Sequence, residues 1–351
     1  MDMTFFIFLS SGLFLGWSLG ANDASNVFGT AVGTKMVSFK TAAVIASLFI
    51  TVGAVYAGAG ASETLGELGS INTLPGAFMA AFAAAISLYW MARDGLPVST
   101  SQHIVGPIIG WNVFADKPTH PEILSKIVST WIICPLLSGI IAVILYFFIR
   151  MLIRRSHLHI LRQDSYTRFG LIVAGAFGAY ALGANNIANV MGVFVPSSPF
   201  TNLDLGYGLV LTGTQQLFLL GALAICVGVF TYSHHVINTV GNNLMRMSPL
   251  VAFVVVLSQS IVLFLFASKS LEHFLLSHNL PALPLVPVSS TQAVIGAVMG
   301  IGLAKGGREL NWNILGHVAL GWIVTPIAAA LVCYISLFFL QNVFGQIVFL
   351  P

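Results

Sequence analysis

Two short polar clusters occur twice each in this chain, embedded in otherwise apolar stretches. Gly20-Ala21-Asn22-Asp23-Ala24-Ser25-Asn26-Val27 returns as Gly183-Ala184-Asn185-Asn186-Ile187-Ala188-Asn189-Val190, and Pro97-Val98-Ser99-Thr100-Ser101-Gln102 returns as Pro287-Val288-Ser289-Ser290-Thr291-Gln292. The four segments contain amides, hydroxyls and a single carboxylate, Asp23, with no Lys or Arg in any of them. Hard cations prefer oxygen ligands, so Asn22, Asp23, Asn26, Asn185, Asn186 and Asn189 form a candidate Na+ set. Ser99, Thr100, Ser101, Gln102, Ser289, Ser290, Thr291 and Gln292, with Asp23, form a candidate oxyanion set. A divalent anion alone in such a neutral-to-negative, poorly solvated place would be costly. A co-bound cation removes that cost, so the inventory predicts symport.

Asp23 also bears on the anion. Hydrogen phosphate has a proton to donate to a carboxylate, whereas sulfate has none and meets bare repulsion. Phosphate is therefore the expected substrate, with sulfate as the rival. Each residue also has a plainer role open to it. Membrane Ser and Thr often bond back to their own helix or hold helices together. An intramembrane carboxylate, by contrast, marks function. Gly29/Gly33, Gly106/Gly110 and Gly296/Gly300 have the spacing of close helix packing. His103 has Ala293 at the matching position and is read as an interior histidine. Glu67 fits a solvated face, Glu63 is kept as a candidate because it adjoins Thr64 of a further repeated element, and adjacent His234 and His235 do not converge on one transition metal. No nucleotide loop, nucleophile elbow or HExxH is present, so no enzyme is expected.

The elements that position these residues follow from composition. Fifty-seven per cent of residues are hydrophobic, 7% are charged, the formal net charge is +3 and the mean hydropathy is +0.92. That excludes an ordinary soluble domain. Apolar runs such as Thr41–Ala59, Ile127–Ile149 and Leu315–Leu340 are long enough to cross a bilayer. Trp131 stands four residues before Pro135, Trp322 four before Pro326, and Thr64-Leu65-Gly66 pairs with Thr239-Val240-Gly241. The repeats divide the chain into a first membrane repeat (1–155), a basic linker (156–168) and a second membrane repeat (169–351). The predicted fold is all-α and polytopic. It has five membrane segments per half (about 4–34, 41–60, 73–92, 97–114 and 123–152; then 170–196, 207–232, 248–268, 287–305 and 312–341), broken or hairpin-like at the midplane. An odd count per half makes the repeats inverted. Arg150, Arg154, Arg155, Arg162 and Arg168, with His157 and His159, place the centre in the cytoplasm of a plasma (inner) membrane and both termini outside. Nucleic acid is not an expected partner for a basic patch beside membrane helices. The N-terminus lacks a basic leader region and reads as the first span. Cys134, Cys226 and Cys333 lack metal spacing.

The duplicated Gly-Ala-Asn-(Asp/Asn) and Pro-Val-Ser clusters, with Gly110-Trp111-Asn112, resemble the inorganic phosphate transporter (PiT) family over nearly the whole chain. The resemblance implies phosphate transport coupled to Na+, or to H+ in some bacterial members, with inverted repeats and a homodimer. Two departures stand out: Asn186 replaces a second Asp, and Ser101-Gln102 and Thr291-Gln292 stand where many members carry Thr-His. Both lower local charge and proton-handling capacity, which favours Na+. Some relatives move sulfate. An anion channel, or a membrane subunit with no transport activity, are the readings from other classes.

Overall fold

Nearly every backbone polar group inside a bilayer must be satisfied within its own segment, which leaves helices as the natural element for apolar runs this long. In the computed structural model the described residues are 3–350 without 70, 94–97, 157–158, 205, 207–209, 235, 237–246 and 309. Pro97, His157, His235 and Thr239-Val240-Gly241 thus fall outside them. The helices are α1 (Met3–Gly33), α2 (Phe39–Ala57), α3 (Ala59–Leu68), α4 (Leu74–Arg93), α5 (Thr100–Phe114), α6 (Pro121–Ser156), α7 (Ile160–Met191), α8 (Gly213–Thr231), α9 (Pro249–Leu265), α10 (Lys269–Ser277), α11 (Ser290–Ala304) and α12 (Trp312–Asn342). A 3-10 turn (Gly192–Ser197) and a hairpin of two two-residue strands (Leu203–Asp204 and Val210–Leu211) lead from α7 to α8.

Among the described residues seven helices are long and apolar enough to span a membrane, and α9 with α10, bent by 68° at their junction, makes an eighth. The protein is a multi-pass membrane protein. The helices α5 and α11 have 15 residues each, about 22 Å against a hydrocarbon core of roughly 30 Å. With α9 and α10 taken as one span, the described residues give four long elements per half, beside the short α5 or α11 and, in the first half, the 10-residue α3. Helix lengths alone do not supply the odd count of crossings expected from the sequence.

One further expectation is corrected. The Gly-Ala-Asn clusters do not break their helices: α1 is continuous through Asn22-Asp23 and α7 through Asn185-Asn186. Gly20 and Gly183 serve close approach instead. The basic segment 156–168 is mostly helical, since α6 ends at Ser156 and α7 starts at Ile160.

The halves interlock. A Cβ on Gly20 would meet the carbonyl oxygen of Ile225 on α8, and one on its repeat mate Gly183 would meet that of Ile50 on α2. Gly228 sits likewise on the Trp17 carbonyl and its mate Gly53 on that of Tyr180. The short helices do the same: Gly106 and Gly110 of α5 rest on Pro326 and Ala330 of α12, while Gly296 and Gly300 of α11 rest on Pro135 and Gly139 of α6. Each contact recurs with the halves exchanged. The Gly-x-x-x-Gly reading holds for the last two pairs, but a Cβ on Gly33 meets nothing within 4 Å.

Candidate functional site

The polar clusters of both halves meet at one place. Ser99 and Ser289, both extended, cap α5 and α11: their hydroxyls accept from Gln102 N at 3.4 Å and Gln292 N at 3.1 Å. This is ordinary N-capping chemistry, and it explains why the helices begin where the Pro-Val-Ser runs end. The two N-termini then cross. Ser101 Oγ donates to the Val288 carbonyl (3.2 Å), and its mate Thr291 Oγ1 donates to the Val98 carbonyl (2.9 Å).

The asparagines of α1 and α7 hold this crossing. Asn26 Nδ2 donates to Ser290 Oγ and Thr291 Oγ1, both at 3.0 Å, and Asn189 Nδ2 donates to Ser101 Oγ at 3.0 Å and Asn186 Oδ1 at 2.9 Å. Asn22 Nδ2 donates to the Val98 carbonyl (3.2 Å) and to Asp23 Oδ1 (2.7 Å). Asn185, a member of the expected cation set, is tied to backbone at both ends of its amide. Its Nδ2 donates to the Val286 carbonyl (3.0 Å) and its Oδ1 accepts from Val288 N (2.8 Å). It clamps the extended segment before α11.

Asp23 sits at the N-terminus of α5, where Thr100 Oγ1 donates to its Oδ2 at 3.2 Å. A carboxylate here complements the positive end of the helix dipole. The second copy differs: Asn186 Oδ1 accepts from Asn189, and its Nδ2 is buried without a partner. All fourteen predicted residues (Asn22, Asp23, Asn26, Asn185, Asn186, Asn189, Ser99–Gln102 and Ser289–Gln292) are enclosed, none more than 3% exposed.

Gln102 and Gln292 are the most informative of them. Both amide oxygens and both amide nitrogens are buried without a hydrogen-bond partner, as is Asn189 Oδ1. Orphaned polar groups of this kind cost roughly 1–3 kcal/mol each and are uncommon enough to require a reason. Two such amides at facing helix N-termini form a set of donors and acceptors suited to an oxyanion beside a cation. Gln102→Ala and Gln292→Ala are each expected to weaken oxyanion binding roughly tenfold to a hundredfold, as for the loss of one hydrogen bond to a charged group. Isothermal titration of the purified variants with phosphate in saturating Na+ checks this; unchanged affinity in both removes the amides from the site.

Gln259 of α9 is a component that the motifs do not reveal. It is fully buried, its Nε2 donates to the Asn26 carbonyl at 2.5 Å, and its Oε1 has no partner. The signal for it is the polar triplet Ser258-Gln259-Ser260 inside an apolar run, which has no counterpart in the first half. His103 uses Nδ1 on the Ser99 carbonyl at 2.8 Å, with Nε2 unpartnered. Glu63 is exposed and pairs with Lys269 at 2.7 Å, and Glu67 is exposed.

The arrangement can be compared with known proteins. The chain is 25% identical over 322 residues to a protein of Methanocaldococcus jannaschii provisionally named a phosphate permease, covering 92% of this chain and 93% of that one. A similarly named protein of Haemophilus influenzae is 25% identical over 427 residues, covering 95% and 96%. The solved structure of a sodium-dependent phosphate transporter superposes with a TM-score of 0.73 at 21% identity, over 97% of this chain and 99% of that one. The family model described as "Phosphate transporter family" matches twice, at residues 19–165 and 159–333. These matches cover most of the chain, one to each half, and the chain belongs to the phosphate transporter family.

Proposed function

We propose that the protein imports inorganic phosphate by Na+ symport through an alternating-access cycle centred on the crossing of α5 and α11. The observation that carries this reading is the pair of buried, unpartnered glutamine amides at facing helix N-termini beside a lone carboxylate. Helix N-termini attract oxyanions, and Asp23 with the Asn26, Asn186 and Asn189 amides supplies oxygen for Na+. Substrate and cation neutralise each other among four clusters that contain no Lys or Arg. Gln102, Gln292, Ser290 and Thr291 orient the anion, and Asp23 accepts the phosphate's own proton in a hydrogen bond.

The exchanged contacts of the two halves supply a two-state element: the same interfaces exist twice and can swap roles. We place the repeats inverted in a plasma (inner) membrane, with the basic ends of α6 and α7 cytoplasmic and the termini outside. Two 15-residue helices meeting at their N-termini and running to opposite faces would together cover a bilayer of roughly 30 Å. A homodimer is inferred from the family resemblance alone.

Proteoliposomes test the reading. Radiolabelled phosphate is expected to accumulate only with an inward Na+ gradient. One coupled ion and a tenfold gradient give about tenfold accumulation, and two give about a hundredfold. A proton gradient alone should not substitute. Sulfate uptake under the same gradient equal to that of phosphate would overturn the assignment of the anion, and equilibration without accumulation would show a channel.

A further inference from the structure

The long helix α6 carries a feature unrelated to the transport site. With 36 residues it is about 54 Å long, far more than the roughly 30 Å of hydrocarbon. Along one stripe of its surface, Ile132, Leu136, Ile140 and Ile144 are 58–64% exposed. They form one wall of an apolar groove of about 770 Å³ whose other walls are α11 and Trp322 of α12. The floor is backbone, because Gly139, Gly296 and Gly300 let α6 and α11 touch without side chains between them. From Trp131 to Ile144 the groove is about 20 Å long, the scale of an acyl chain in one leaflet.

The same stripe continues past Phe147 into a second depression lined by Arg150, Met151, Arg154 and Arg155. Positions 136, 140, 143, 147, 150 and 154 follow one another at three- and four-residue steps, so groove and arginines share one helix face. Among the described residues no carboxylate forms an ion pair with these three arginines. Arg150 lies 6.0 Å from the Tyr146 ring centroid, and Lys305, directly after α11, lies 5.8 Å from the same centroid. Positive charge from both walls therefore gathers at one end of the apolar groove.

We propose that this face of α6 binds an anionic phospholipid, with one acyl chain along the groove and the phosphodiester held by Arg150, Arg154 and Arg155. Guanidinium forks match phosphate oxygens, and basic pockets beside membrane helices suit anionic headgroups. The ligand is an amphiphile because neither half of the surface alone explains the other. Free phosphate leaves the groove bare, and a neutral lipid leaves the arginines without a counter-charge.

Trp131 and Trp322 line the groove, which provides a direct probe. The full chain is placed in phosphatidylcholine vesicles, and tryptophan quenching by brominated phosphatidylglycerol is compared with quenching by brominated phosphatidylcholine. Phosphatidylglycerol is expected to quench at a mole fraction lower by roughly fivefold or more. The preference should vanish in Arg150→Gln/Arg154→Gln/Arg155→Gln and, separately, in Trp131→Phe/Trp322→Phe. The substituted arginines are exposed, and phosphate uptake by that variant verifies its fold independently. Equal quenching by both lipids, or a preference that survives either variant, overturns the proposal. So does loss of the preference on adding inorganic phosphate, which would make the arginines a free-anion site. Efficient disulfide cross-linking of Ile140→Cys chains would also overturn it, showing that a second copy covers the groove.

Discussion

Asp23→Asn is expected to abolish Na+-driven phosphate accumulation while leaving a folded, membrane-inserted protein. The protein itself argues that the fold tolerates the change, since the second copy of the cluster already carries Asn186 at the matching, equally buried place. Thr100 Oγ1 can still donate to an amide oxygen, and the Asn22 contact is the one that weakens, because its amide donates to Asp23 Oδ1. What disappears is the only formal negative charge in the four clusters. On the proposed mechanism the clusters then hold no fixed negative charge to attract the cation, and the hydrogen bond from the phosphate's proton loses its charged acceptor. Uptake should fall at least about a hundredfold, equivalent to roughly 2.7 kcal/mol. Labelled phosphate uptake with and without a Na+ gradient, beside a size-exclusion profile matching the parent, measures it. Retained gradient-driven uptake would remove Asp23 from the mechanism.

The second large effect is structural. Gly183→Val should prevent stable folding, and Gly20→Val should do the same through the repeat-related contact. In each case the new Cβ falls on a backbone carbonyl of a helix from the other half, Ile50 for Gly183 and Ile225 for Gly20. A flexible side chain could move aside, but a helix backbone cannot without shifting the whole element. Overpacking against side chains costs typically 1–3 kcal/mol, and here about 3 kcal/mol or more is expected. Gly33→Val is the matched control, because nothing lies within 4 Å of its added Cβ. Thermal unfolding in detergent should show a large loss for the first two variants and little change for the third. Parent-like stability in Gly183→Val would mean that α2 and α7 do not pack through their backbones.

Much of this is legible in the order of the amino acids. The apolar runs impose helices, the repeated motifs declare the duplication, and the polar clusters name the residues that converge. Asn26 with Ser290 and Thr291, and Asn189 with Ser101, all belong to the predicted set. Less legible is what each residue does there. Gly-Ala-Asn-Asp reads as a helix break because glycine lowers helix propensity. In place, tertiary contact overrides propensity: α1 runs unbroken and Gly20 is the point where α8 presses against it. The division of labour among asparagines is equally hidden, because Asn185 and Asn189 look alike in a motif. Only the position of the extended segment at Val286–Val288 shows that Asn185 is tied to backbone while Asn189 keeps its Oδ1 unpartnered.

The amino-acid order alone determined the membrane class, the two related halves, the lone carboxylate of the four clusters and the absence of Lys and Arg within them, because these are matters of composition and repetition. Tertiary structure decided that the halves interlock, that α5 and α11 are too short to span, and that Gln259 of α9 joins the asparagine-rich crossing through the Asn26 carbonyl. It did so because a polar side chain's partners are set by which helices touch, and the contacts between halves join residues as far as 278 positions apart. No local pattern encodes that distance; the backbone contacts at glycine and the capped helix N-termini do.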